Sequence, residues 1–98
     1  MKKEIKVNEE IVLNLQRLCA EVDSKKELLS FMIDRGFSLD NERFKEYQEQ
    51  YREDYFSYEQ AKKIFQKEFL EKEFGKENLV RWNLDFDTNI CNVEIKDN

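Results

Sequence analysis

The sequence contains no histidine and no proline, and only two glycines and two cysteines. Without histidine there is no imidazole for acid–base catalysis, for a histidine-containing zinc site or for a Ser-His-Asp triad in its usual form. Two cysteines, Cys19 and Cys91, are too few for a four-thiolate metal site or a disulfide framework, and they point to a reducing, cytoplasmic setting. No apolar run approaches the ~18–20 residues of a membrane span. Met1-Lys2-Lys3-Glu4 is followed by neither an apolar stretch nor a small-residue cleavage site, so no secretory signal is expected. No Gly-rich phosphate loop, Walker lysine or dinucleotide fingerprint occurs. From these absences the expectation is a non-enzyme with no cofactor and no metal.

What is present is charge and aromatic surface. Of 98 residues, 40% are apolar and 40% charged, which suits one domain with one modest core. Eight phenylalanines, four tyrosines and one tryptophan argue against a disordered chain. Acids outnumber bases 22 to 17, for a net charge of −5. An acid excess repels polyanions, so neither direct nucleic-acid binding nor an anionic membrane surface is expected. The excess serves either solubility or a basic protein partner.

The patterning reads as α+β in a single domain over residues 1–98. Residues 3–7 form a short strand in which Ile5 and Val7 alternate with Lys6. Asn8 caps a helix over 8–22, with Glu9 and Glu10 in its first turn and Ile11, Leu15, Leu18 and Val22 along one face. Ser24-Lys25-Lys26-Glu27 is a capping-box pattern that opens a second helix over 24–36. Gly36 stands at its expected left-handed C-cap, and Phe37 and Leu39 are expected to pin the following turn to the core.

The longest element is a helix over 41–73. Phe44, Tyr47, Tyr51, Tyr55, Tyr58, Phe65 and Phe69 fall on one face roughly 80° wide. Ser57-Tyr58-Glu59-Gln60 resembles a second capping box and leaves open a break near Ser57. A β-hairpin over 79–96 closes the chain, with Val80, Trp82, Leu84 and Phe86 alternating on one arm and Cys91, Val93 and Ile95 on the other. A two-residue Thr88-Asn89 turn would place Phe86 opposite Cys91, Leu84 opposite Val93 and Trp82 opposite Ile95. The predicted architecture is a helical hairpin-like array with one long amphipathic helix packed on a two- or three-stranded antiparallel sheet.

Two faces of the long helix are candidates for function. Tyr47, Tyr51 and Tyr55 are amphipathic, and a buried hydroxyl needs a partner, so they suit a core edge or an interface. The simplest account is a core-facing row; the sharper one is a projecting row for a protein partner or for self-association. On the opposite side Glu42, Glu46, Glu49 and Glu53 lie within about 60° of one another. They form either a solvated face or a binding face for a basic protein. A di-iron carboxylate site would need a second carboxylate helix and Glu-x-x-His, which are missing. Cys19 and Cys91 are expected as buried free thiols, and Trp82 as a core anchor.

The opening Lys3-Glu4-Ile5-Lys6-Val7-Asn8-Glu9-Glu10, the segment Leu15-Gln16-Arg17-Leu18 and the closing Trp82-Asn83-Leu84-Asp85-Phe86-Asp87-Thr88 resemble the layout of small accessory proteins from CXXX-repeat peptide modification systems. In those bacterial systems a radical enzyme modifies a Cys-repeat precursor peptide. The repeats are absent here, so the resemblance implies the helper and carries over no site residues. The bias toward Lys, Asn, Glu, Ile and Phe is compatible with a low-GC bacterium or its phage. The functional expectation is therefore a small acidic, non-catalytic accessory protein of bacterial cytoplasm that binds a protein partner or itself. The alternative is a phage- or plasmid-encoded acidic inhibitor whose glutamate stripe mimics nucleic-acid phosphates.

Overall fold

The computed structural model describes residues 1–97. Its elements are β1 (Lys2–Lys6), α1 (Glu9–Asp34), α2 (Glu42–Phe65), a π-helical turn (Gln66–Leu70), α3 (Glu71–Phe74), β2 (Leu79–Asp85) and β3 (Ile90–Ile95). The α+β class holds. The chain divides into two compact units: Met1–Gln16 together with the chain from Ala61 onward, and Arg17–Gln60.

The first unit contains the sheet. Its order is β1-β3-β2, all antiparallel, so the N-terminal strand adds to β3 and not to β2. Leu84 pairs with Cys91, Trp82 with Val93 and Asn83 with Asn92. This register is shifted by two residues from the predicted one. The reason is the turn. The Asp85 carboxylate accepts a hydrogen bond from the Asp87 N–H at 2.9 Å, and Asn89 adopts φ 61°, so Phe86–Asn89 make a four-residue turn instead of Thr88-Asn89 alone. A shift of two preserves the faces, because side chains alternate with a period of two. Trp82 and Leu84 remain against the core, and Phe86 falls in the turn, half-buried.

Val80 is a second correction. A bulge between Leu79 and Arg81 turns Val80 outward, and Leu79 packs on the core in its place. The core cluster joins Val7, Val12, Leu15, Phe65, Leu70, Cys91 and Val93. The π turn explains how Phe65 and Leu70 are both buried. Five residues of α-helix would rotate Leu70 about 140° from Phe65, whereas a π turn brings positions i and i+5 onto one side. Gln66, the first residue of that turn, accepts the Trp82 indole N–H at 2.9 Å and donates to Glu71 at 3.1 Å. The Phe65 and Trp82 rings meet edge-on at 5.1 Å.

The second unit is a helical hairpin. Asn8 caps α1 as expected, its side chain accepting the Glu10 N–H at 2.8 Å. The expected break at Ser24 does not occur; α1 continues to Asp34. The apolar rows on either side of Ser24 are one row: Ile11, Leu15, Leu18, Val22, Lys25, Leu29 and Met32 step by four and three throughout. Lys25 occupies a row position, and its ammonium pairs with Asp54 at 3.1 Å. Asp54 in turn falls in the α2 row Phe44, Tyr47, Tyr51, Asp54, Tyr58. Stepping back from Lys25 to Cys19 on α1 moves the partner forward from Asp54 to Tyr58 on α2, so the helices run antiparallel.

No break occurs at Ser57 either. The hairpin's turn begins with a Schellman motif: Gly36 at φ 81° donates to Ile33 at 3.0 Å, and Phe37 donates to Met32 at 3.0 Å. Asn41 caps α2 through the Phe44 and Arg43 N–H groups. Phe37 and Leu39 do not pin this turn; both are exposed, because the turn lies past the last buried row residues, Met32 and Phe44.

Candidate interaction surface

α2 carries both candidate faces, and Arg17–Gln60 holds every candidate residue. Phe44 is buried at the start of the aromatic row, and Tyr47 and Tyr51 are half-buried. Tyr55 sits at the flank of the row and is 48% exposed, its ring 6.1 Å from that of Tyr51. Tyr58 is half-buried against Cys19; burial raises its hydroxyl pKa, and the neighbouring Cys19 raises it further, so it stays a neutral phenol. The tyrosine row is therefore mostly the inner face of the helical hairpin. Of the three proposed contact tyrosines only Tyr55 stands open.

The acidic face is open along its length. Glu42, Glu46, Glu49 and Glu53 are all exposed. Glu49 lies 3.8 Å from Arg52, an exposed pair of little energetic weight. Glu42, Glu46 and Glu53 make no ion pair among the described residues. Like charges one turn apart oppose each other by a few tenths of a kcal/mol, so the row stores a mild repulsion that a cation relieves.

Phe56 is the residue that sequence reasoning passed over. It is 63% exposed and lies two turns beyond Glu49 and one turn beyond Glu53, in line with the glutamates. The signal was available: Phe56 falls outside the aromatic row and continues the acidic one. A phenylalanine on the solvent side of a helix buries nothing within this unit, where a polar residue would satisfy helix and solvent equally well.

Cys19 is half-buried and donates to Asp23 over 3.9 Å; Cys91 is fully buried. Both are free, and burial pushes the Cys91 thiol up to about 11. Among the described residues no cluster of three or more Cys, Asp or Glu could hold a metal ion, and no helix is long and apolar enough to cross a membrane. The sheet unit offers a groove of about 300 Å³ between Ile11, Leu15, Ala61, Ile64 and Phe69, and a shallow depression of about 510 Å³ on the outer, polar face of the sheet around Asn83 and Asn92. The groove is lined mainly by apolar side chains, and the depression is bordered by Lys2, Lys3, Glu4 and the Arg81–Glu94 ion pair. The chain matches no protein-family model, no curated protein and no solved structure.

Proposed function

We propose that this chain is a small, non-catalytic protein-interaction protein, and that it binds a basic partner segment through the outer face of α2. Glu46, Glu49 and Glu53 supply the charge and Phe56, flanked by Tyr55, supplies the apolar anchor. The observation that carries the reading is the exposed Phe56 in line with the exposed glutamates. An aromatic anchor within a charged surround is how binding energy concentrates at protein interfaces. Charge at the rim chiefly speeds encounter and sets specificity. The resemblance to accessory proteins of CXXX-repeat peptide modification falls inside this class, as does a bacterial, cytoplasmic setting.

The test is affinity capture with the wild-type chain beside F56S and an E46Q/E49Q/E53Q variant, followed by titration of whatever is captured. The reading expects a basic protein lost with F56S and weakened by both the glutamine variant and added salt. Capture that survives both variants overturns it. A captured nuclease that is indifferent to F56S but lost with the glutamine variant would replace it with the phosphate-mimic reading, which four exposed glutamates on one face also support. Capture of a radical peptide maturase would support the accessory role.

A further inference from the structure

The sheet has a free edge whose sequence matches itself. β1 is an outer strand, bonded only to β3 among the described residues. The Met1 carbonyl accepts the Ile95 N–H at 2.9 Å and the Val7 N–H donates to Asn89 at 2.8 Å, so the odd-numbered residues face β3. In an antiparallel ladder the alternate residues then turn their backbone groups the other way. Lys2, Glu4 and Lys6 therefore direct N–H and C=O groups off the sheet, and all three are exposed. Their side chains stand on the outer face, opposite Glu94, Asn92 and Ile90 respectively.

We propose that the β1 edge pairs antiparallel with the β1 edge of a second copy of this chain, joining two three-stranded sheets into one of six strands. Charge selects the register. Pairing centred on Glu4 would set Glu4 against Glu4 and Lys2 against Lys6, like against like. Pairing centred on Lys3 would set Lys2 against Glu4 but Lys3 against Lys3. Pairing centred on Ile5 sets Glu4 against Lys6 twice, with Ile5 meeting Ile5 across the two-fold axis. Only this last register has opposite charges at both hydrogen-bonded pairs and an apolar pair at its centre. Lysines on an edge discourage promiscuous strand addition; Glu4 between Lys2 and Lys6 makes self-pairing the exception. The contact is isologous, so it closes at two copies and does not propagate. The β2 edge offers a register too, centred on Asn83 with Arg81 against Asp85, but there Arg81 is already paired with Glu94 and the Val80 bulge distorts the strand, which hinders strand addition.

The interface is short, and small interfaces bind weakly, so sedimentation equilibrium should run to about 1 mM chain, where a dissociation constant of that order still registers. The wild-type chain is expected to dimerise. E4K and K6E each create two like-charge pairs and are expected to weaken the dimer about tenfold. The double variant E4K/K6E exchanges the signs and is expected to restore it. Circular dichroism on every variant separates lost pairing from lost fold. In a C19S/C91A background, which also removes the thiol directly opposite Ile5 on β3, I5C is expected to form an interchain disulfide on oxidation, because residues at a non-hydrogen-bonded antiparallel pair approach to about 4.5 Å between Cα atoms. A wild-type chain that stays monomeric throughout overturns the proposal and leaves the edge to a foreign strand. So does a folded double variant no better than the singles, or an I5C chain that cross-links no faster than V80C in the same background.

Discussion

The two units spend their apolar residues differently. The sheet unit gathers seven buried residues into one cluster, with half-buried Ile5, Ile11, Trp82, Leu84 and Ile95 packed around it. The helical hairpin unit buries Val22, Met32 and Phe44 and leaves Phe31, Ile33, Phe37, Leu39, Tyr55 and Phe56 in solvent. The central position of its row goes to an ion pair, Lys25–Asp54, each side chain about a quarter exposed (26% and 24%). The first unit is built for stability. The second has fewer buried residues to hold it, although the sheet unit also exposes Leu13, Ile64, Phe69 and Val80, and a smaller core suits elements that must meet a partner.

The contrast can be broken most severely at Leu70. It is fully buried at the end of the π turn, and L70A is expected to cost about 2–5 kcal/mol in urea unfolding. Any single truncation on the outer face of the hairpin unit should cost far less. Next is Gln66. Q66A leaves the half-buried Trp82 indole N–H without its acceptor and is expected to cost about 1–3 kcal/mol, read from tryptophan fluorescence during unfolding.

The Lys25–Asp54 pair sharpens the comparison in the other unit. D54A is expected to destabilise by about 1 kcal/mol, a modest value because water still reaches both groups. K25M/D54L, which makes both rows apolar, is expected to leave stability unchanged or raise it. At the small end, F56S is expected to change stability by no more than about 0.5 kcal/mol in the same unfolding experiment, while abolishing partner binding.

Cys91 adds a pH dependence to the sheet unit, as the raised Tyr58 hydroxyl does to the hairpin unit at still higher pH. Burial raises its thiol from an ordinary 9.0 to about 11, so the native state holds its proton more tightly than the unfolded chain. That contribution is complete below about pH 9 and declines as pH rises to about 11. C91A should remove this alkaline dependence from the unfolding profile. Its wild-type thiol should react with a thiol reagent only as the sheet opens.

Local signals in the sequence are legible. Asn8 before two glutamates and Gly36 after an apolar row name the two ends of α1, because caps depend on adjacent residues. The faces of the hairpin strands followed from a period of two, which a register shift of two leaves intact. What failed depended on distant partners. Ser24-Lys25-Lys26-Glu27 reads as a capping box that opens a new helix, until Asp54, 29 residues on, is brought to Lys25 and makes it a member of one continuous row. The π turn changes the helical phase, so a 100° wheel misplaces Leu70, and only its position off the aromatic row hinted at the change. Val80 and Leu79 exchange roles through a bulge that alternation alone does not reveal. At the candidate surface the glutamates were legible because an exposed charged row needs no partner, whereas tyrosines at a helix seam and at an interface share one pattern. Phe56 belongs neither to the aromatic row nor, being uncharged, to the acidic pattern it continues, so periodicity alone does not mark it.

The most direct test of the difference between the units is native-state hydrogen exchange, residue by residue. Amides of Cys91 and Val93 in β3 are expected to exchange only through global unfolding, and those of Val22 through Leu29 in α1 through openings of lower free energy that depend little on denaturant. Equal protection in both stretches, with the same denaturant dependence, would contradict the account.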